Sequence, residues 1–319
     1  MDHGRGISTV TATPCAGGGI ATYLPVRAHR ALGIFRRKTG AAWKGRTLMS
    51  ISDQLHRPLG RTPIGTLFTD IRSGSPMLWL STLGMLIGFF ACLVAVQLDA
   101  RTFNGVDVWD KPGKFFLSLA VQYATVSWAL RFLPEAQRNA RSIRFATMAM
   151  IAAGWFEVAY IAYRSARAEA SHFNASSVFS QVAYGVMGLG AVTLTVTAFF
   201  IGYRVWRQRR QGLIVEAAGM GLMLGMGLGT VAGIYLSAQT GHWVGGEMSD
   251  AHGLGVMAWS TNGGDLRVAH FVGLHAAQIV PFSALSGKRA VVYFTAAACI
   301  LVTGFTFAQA VLGLPLFVV

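Results

Sequence analysis

The sequence predicts an all-α fold: a polytopic membrane helix bundle of about seven transmembrane helices, with the N-terminus cytoplasmic and the C-terminus extracytoplasmic. The first observation is composition. Of 319 residues, 53% are hydrophobic and 13% charged, with a mean hydropathy of +0.48, whereas soluble domains carry about a quarter charged residues. The second is a set of seven continuous apolar runs, at 77–98, 115–133, 145–163, 178–203, 213–236, 268–285 and 290–319. Each is close to or longer than the roughly 20 helical residues that cross a hydrocarbon core of about 30 Å. Continuous runs argue against a β-barrel, whose strands alternate in hydrophobicity.

The third observation is where the charge falls. Of 27 Lys and Arg, 21 lie before the first run or in the loops after the second, fourth and sixth, and six lie in the loops after the first, third and fifth. Basic loops stay in the cytoplasm, so this alternation sets the direction of every span. It also accounts for the net charge of +14 without nucleic acid as a partner. The expected partner is the lipid bilayer.

Taken in order, residues 1–76 form a basic N-terminal segment and 77–319 the transmembrane domain. The segment has no apolar stretch of signal-peptide length. It is rich in Gly, Thr, Ala and Arg, contains Arg36, Arg37 and Lys38, and is expected to be disordered. Met49 opens MSISDQL, an alternative start, so no function is placed on residues 1–48. Cys15, Cys92 and Cys299 supply neither a CxxC pair nor a disulfide framework.

A charge at mid-bilayer costs about 2.5–3.5 kcal/mol on insertion scales, so polar residues within the runs should face the bundle interior. At the second run Lys111, Lys114, Ser118, Gln122 and Thr125 follow helical spacing and form one stripe. Asp110 and Pro112 suit a helix start, but two lysines there oppose the helix dipole, which points to an anion or headgroup contact. On the third run Glu157, Tyr160 and Arg164 share a face, with Glu157 roughly 10 Å below the outer end. His172, Asn174, Ser177, Gln181 and Tyr184 lead into and along the fourth.

The fifth run carries Gly221, Gly225, Gly229 and Gly233 at four-residue spacing, a ridge for close helix packing inside the bundle or in a homo-oligomer. Glu216, at its basic end, is expected to pair with Arg209 and Arg210. The sixth opens with Asp265 as an N-cap, followed by Arg267, His270, His275 and Gln278. Its two imidazoles project about 140° apart. These stripes all enter from the extracytoplasmic side, and loop 237–267 is placed to act as a lid.

Several identities fall away. The seventh run has no lysine for a retinal Schiff base, no Walker A or HExxH motif is present, and paired haem ligands need histidines on facing helices. Metal or haem remains an unfavoured alternative, with His172, His270, His275 and Glu157 as candidate ligands. The favoured expectation is an outward-facing pocket for a small polar or anionic ligand, in transport or sensing. It is lined by Lys111, Lys114, Gln122, Glu157, His172, Asn174, Asp265, Arg267, His270, His275 and Gln278. The alternatives are a metal-dependent or redox enzyme using His270, His275 and Glu157, and a structural subunit of a membrane complex.

The segments WDKPGKF (109–115), SHFN (171–174) and GGDLRVAHFVGLHAAQ (263–278) resemble those of a family of uncharacterised bacterial seven-span integral membrane proteins. The resemblance covers residues 77–317. It implies a bacterial inner membrane location and no particular activity. Seven-span ceramidase-like and adiponectin-receptor-like hydrolases share only the span count, because the HxxxH of their last helix is not found here.

Overall fold

The computed structural model describes residues 63–317. The expectations for Cys15, the basic cluster at 36–38 and the alternative start at Met49 lie outside the described residues. The end of the segment read as disordered is helical: α1 (Pro63–Gly74) precedes the first apolar run.

Among the described residues eight further α-helices follow: α2 (Pro76–Leu98), α3 (Asp110–Leu130), α4 (Glu135–Arg138), α5 (Arg141–Ala166), α6 (Val178–Trp206), α7 (Leu213–Ser237), α8 (Leu266–Ser283) and α9 (Arg289–Val311). Six of the described helices, α2 and α5 to α9, are long and apolar enough to cross a membrane. The protein is therefore a multi-pass integral membrane protein built as an all-α bundle.

The second expected span is a helix of comparable length, α3, but it does not reach the apolarity of the other six. Lys111, Lys114, Gln122, Thr125 and Ser127 lower its hydropathy. Its position explains the tolerance for them. Tyr123, Val126, Ala129 and Leu130 are buried, and they join a core with Leu78 and Met85 of α2, Met150 and Val158 of α5, Ile201 of α6, and Leu222 and Met226 of α7. A helix surrounded largely by protein needs less apolar surface than one facing lipid. A second core joins Ala217 of α7 to Ala276 and Val280 of α8 and to Val292, Ala296 and Cys299 of α9.

The connections sort to two ends. The short basic links 131–140, 207–212 and 284–288 lie at one end, where Gln208 donates to Gln137. Glu216 differs from expectation here. It pairs with Arg289 at 2.9 Å and accepts from the Tyr293 hydroxyl at 2.8 Å, both side chains of α9.

The long loops occupy the other end. Loop 99–109 folds into a hairpin of β1 (Thr102–Phe103) and β2 (Val106–Asp107), turned by Asn104 and Gly105, which have φ of 53° and 82°. Positive φ at both central residues is what a tight Asn-Gly hairpin turn requires. Loop 238–265 is tied down by pairing of β3 (Trp243–Val244) with β4 (Gly264–Asp265), and by the Asp250 amide donating to the Asn104 carbonyl.

Candidate functional site

The polar residues of the long-loop end divide into two groups: those whose bonding capacity is used within the fold, and a smaller set with capacity left over. Asp265 and Arg267 are in the first group. Asp265 caps α8 by accepting from the Arg267 amide at 3.0 Å, and it also accepts from the Ser260 amide at 3.0 Å. The Arg267 guanidinium bonds Asp265 at 2.7 Å, Asp250 at 2.8 Å and the Ala258 carbonyl at 2.7 Å. His242 adds a 3.2 Å contact to Asp250.

Arg267 therefore locks the long loop onto α8. Burial raises the Asp250 pKa, but His242 and Arg267 outweigh it and hold the carboxyl below its usual range. Burial pushes the His242 pKa down, and its bond to Asp250 offsets only part of this.

Most of the other expected site residues make structural bonds. Lys114 pairs with Asp110 one turn back, at 2.5 Å. Gln122 donates to the Met226 sulfur at 3.4 Å, and Gln278 donates to the Thr125 hydroxyl at 3.0 Å, linking α8 to α3. Asn174 staples its own loop by donating to the Ala170 carbonyl and accepting from Ser176. His270 Nδ1 lies 2.8 Å from the Gly229 carbonyl of α7. His275 Nδ1 lies 3.1 Å from the Phe271 carbonyl of its own helix, and its ring stacks on Phe271 with centroids 4.0 Å apart.

The metal alternative gains nothing from this arrangement. Among the described residues no three His, Cys, Asp or Glu side chains come close enough together to hold an ion. His270 and His275 leave α8 in different directions, and His172 sits in a separate loop within reach of Phe115, Phe173 and Tyr184.

What remains is centred on Lys111. This half-buried side chain stands at the N-terminus of α3 within electrostatic reach of Glu157, Asp250, Arg267 and His172, yet makes no ion pair with any described residue. Glu157 projects from α5 toward Gly190 of α6, where there is no side chain to meet it. It is 4% exposed, and its Oε1 has no hydrogen-bond partner. One turn outward on the same helix the Tyr160 hydroxyl is also buried and unpartnered, as is the Trp259 indole nitrogen in the loop held by Arg267.

Buried polar groups are nearly always satisfied, so exceptions of this kind mark places for water, an ion or a ligand; others lie elsewhere, at Arg131, Trp243, Thr303 and Gln309. His172 completes one wall. Burial and the nearby Lys111 charge drive its pKa well down, leaving the ring neutral. Phe173 beside it and Ala258 beside Trp259 have φ of 55° and 52°, a left-handed conformation costing about 1–2 kcal/mol without glycine.

Two surface concavities are formed by residues of the long-loop end. The larger, about 710 Å³, is lined by Arg164, Glu169, Asn174 and Ser177 among others, and a second of about 320 Å³ lies between Asp110 and Val256. Neither is lined by Lys111 or Glu157.

Sequence reasoning placed Lys111, Glu157 and His172 among the site residues. Asp250 and His242 were covered there only by the loop 237–267 that contains them, because their role depends on a contact spanning 17 positions, from Asp250 to Arg267.

The bundle defines a multi-pass integral membrane protein, with unsatisfied polar groups among its helix ends. No family profile matches the chain, and neither a curated protein nor a solved structure matches it.

Proposed function

We propose that this is a seven-span protein of a bacterial inner membrane that binds a small polar or anionic ligand from the outer side, for transport or sensing. The observation that carries the reading is Lys111, an ammonium in no ion pair with a described residue, within electrostatic reach of Glu157, a carboxyl with an unpartnered buried oxygen. In a low-dielectric interior such groups are costly unless something completes their bonding. Counting α3 as the seventh span puts all the long loops, and this pair, on the side away from the basic links. By the distribution of Lys and Arg, that side is extracytoplasmic. The resemblance of the segments at 109–115, 171–174 and 263–278 to bacterial membrane proteins supports the location.

Cysteine accessibility tests this. In a chain with Cys15, Cys92 and Cys299 replaced by alanine, Lys111→Cys should react with a membrane-impermeant maleimide added to intact cells. Arg210→Cys should react only after the membrane is broken. An inserted protein whose Lys111→Cys stays unlabelled from outside would overturn the outward-facing site.

A further inference from the structure

We propose that α1 is an interfacial helix, whose side carrying Leu67 and Phe68 lies in the lipid leaflet at the end of the bundle where the short basic links are. The inference goes beyond the ligand reading above and needs neither Lys111 nor Glu157.

The 12 residues of α1, PIGTLFTDIRSG, measure about 18 Å at a 1.5 Å rise, too short to span. At helical spacing Leu67 and Ile71 lie one turn apart on one side with Phe68 beside them, and Thr69 and Ser73 lie opposite. The apolar side is only half covered by protein. Ile71 is buried, and a Cβ on Gly74 would run into the Ser127 carbonyl of α3. Leu67 and Phe68, nearer the helix start, are 48% and 50% exposed.

The attachment of α1 fixes its level in the bundle. The Ser127 hydroxyl donates to the Ile71 carbonyl at 2.6 Å and accepts from the Ser75 amide at 3.0 Å, while Arg131 pairs with Asp70. Ser127 and Arg131 stand where α3 ends and the basic link 131–140 begins. From there α1 does not carry on away from α2. In one continuous helix residues 68 and 79 would be about 16 Å apart along the axis, whereas the Phe68 and Trp79 rings meet edge to face with centroids 5.7 Å apart. The chain turns at Ser75, which is extended with φ −155° and ψ 110°, and brings Phe68 back beside the first turn of α2.

That position says what covers the exposed side. Trp79 heads a row on α2 that continues at helical spacing through Leu83, Ile87 and Phe90, all three exposed. Because α2 is apolar and long enough to cross a membrane, this row faces acyl chains. Phe68 touches the head of the row, so the uncovered side of α1 continues the lipid-facing surface. Trp79, and Trp128 next to Ser127, stand at the same level, and indole rings favour the boundary between headgroups and chains. The other side of α1 presents Thr69, Arg72 and Ser73, all exposed, with Arg72 available to anionic headgroups. A helix divided in this way lies along that boundary.

The test uses the full-length protein with Cys15, Cys92 and Cys299 replaced by alanine, in vesicles of phosphatidylcholine and phosphatidylglycerol. An environment-sensitive fluorophore is attached at Leu67→Cys, Phe68→Cys or Thr69→Cys. Lipid carrying a nitroxide should quench the probes at 67 and 68 about twofold more than the probe at 69, and iodide in the water should quench in the reverse order. Ile87→Cys, on the exposed row of α2, should be quenched by lipid whatever α1 does, which identifies correctly inserted protein.

Iodide quenching at 67 and 68 equal to that at 69 would overturn the proposal, leaving this side of α1 in water. Protection of 67 and 68 from both quenchers would overturn it too, assigning the surface to residues 1–62 or to a second copy of the chain. Failure of the outward-facing site would appear separately, as loss of maleimide labelling at Lys111→Cys.

Discussion

His172 lies in the loop between α5 and α6, with Phe115, Phe173 and Tyr184 around it and its Nδ1 3.1 Å from the Ser171 hydroxyl. Burial, then the Lys111 charge, holds its folded pKa well below the ordinary 6.5. Between that lowered value and about 6.5 the unfolded chain binds a proton that the folded chain does not, so stability falls as pH drops through this window. The loss is at most about 1.4 kcal/mol per pH unit for one group. His242 acts with the same sign, its downward shift reduced by Asp250. The thermal midpoint of purified protein should therefore fall between pH 7 and pH 5.5, and His172→Phe, which keeps the aromatic wall, should flatten part of that fall. An unchanged slope in His172→Phe would place the proton elsewhere. This wall was only partly legible in sequence. His172 stood out as a polar residue near a span, but its ring neighbours come from α3, its own loop and α6, and no local spacing brings those together.

The glycine ridge of α7 shows what an element needs from its partner. Gly221, Gly225, Gly229 and Gly233 all face α8, so the surface considered for a homo-oligomer is occupied within the chain. The contacts differ in kind, and the kind sets the cost of adding a methyl. At Gly225 a Cβ would lie 2.7 Å from both the Ala277 nitrogen and the Leu274 carbonyl oxygen, backbone atoms that cannot move without separating the helices. At Gly229 it would meet the Leu274 side chain, which can rotate, and at Gly227 it would meet nothing. Gly225→Ala should destabilise by about 1–3 kcal/mol, Gly229→Ala by less, and Gly227→Ala should be neutral or slightly stabilising, read as shifts in unfolding midpoint.

A similar ranking applies at the junction of α1 and α2. The Ser127 hydroxyl of α3 donates to the Ile71 carbonyl at 2.6 Å and accepts from the Ser75 amide at 3.0 Å. Ser127→Ala leaves buried backbone groups unpaired and should cost about 1–3 kcal/mol, loosening α1 to proteolysis. The ridge itself was plain in the sequence because its period is that of the helix. Its partner was not, since several helices could have received it. The Ser127 staple was invisible, one serine joining backbone atoms more than 50 positions away.

At the scale of the whole molecule, the seven-span reading requires α3 to cross the membrane with the six more apolar helices. Composition alone separates it from them, through Lys111, Lys114 and Gln122. Geometry argues for crossing. Its 21 residues measure about 31 Å at a 1.5 Å rise, enough for a core of about 30 Å, and it packs beside α2 within the main core. Charge argues the same way. If α3 did not cross, Arg131, Arg138, Arg141 and Arg144 would share a side with Arg101, every later loop would change sides, and the basic links at 207–212 and 284–288 would lie on the side opposite the start of α2. Reporter fusions that are active only outside the cytoplasm decide it. Fusions after Gly105, Ala175, Gly253 and Leu314 should be active, and those after Asn139, Gln211 and Gly287 silent. The fusion after Asn139 carries the distinction: activity there would leave α3 on the outer face, reverse the side assigned to every later loop, and detach the Lys111–Glu157 pair from any outward-facing site.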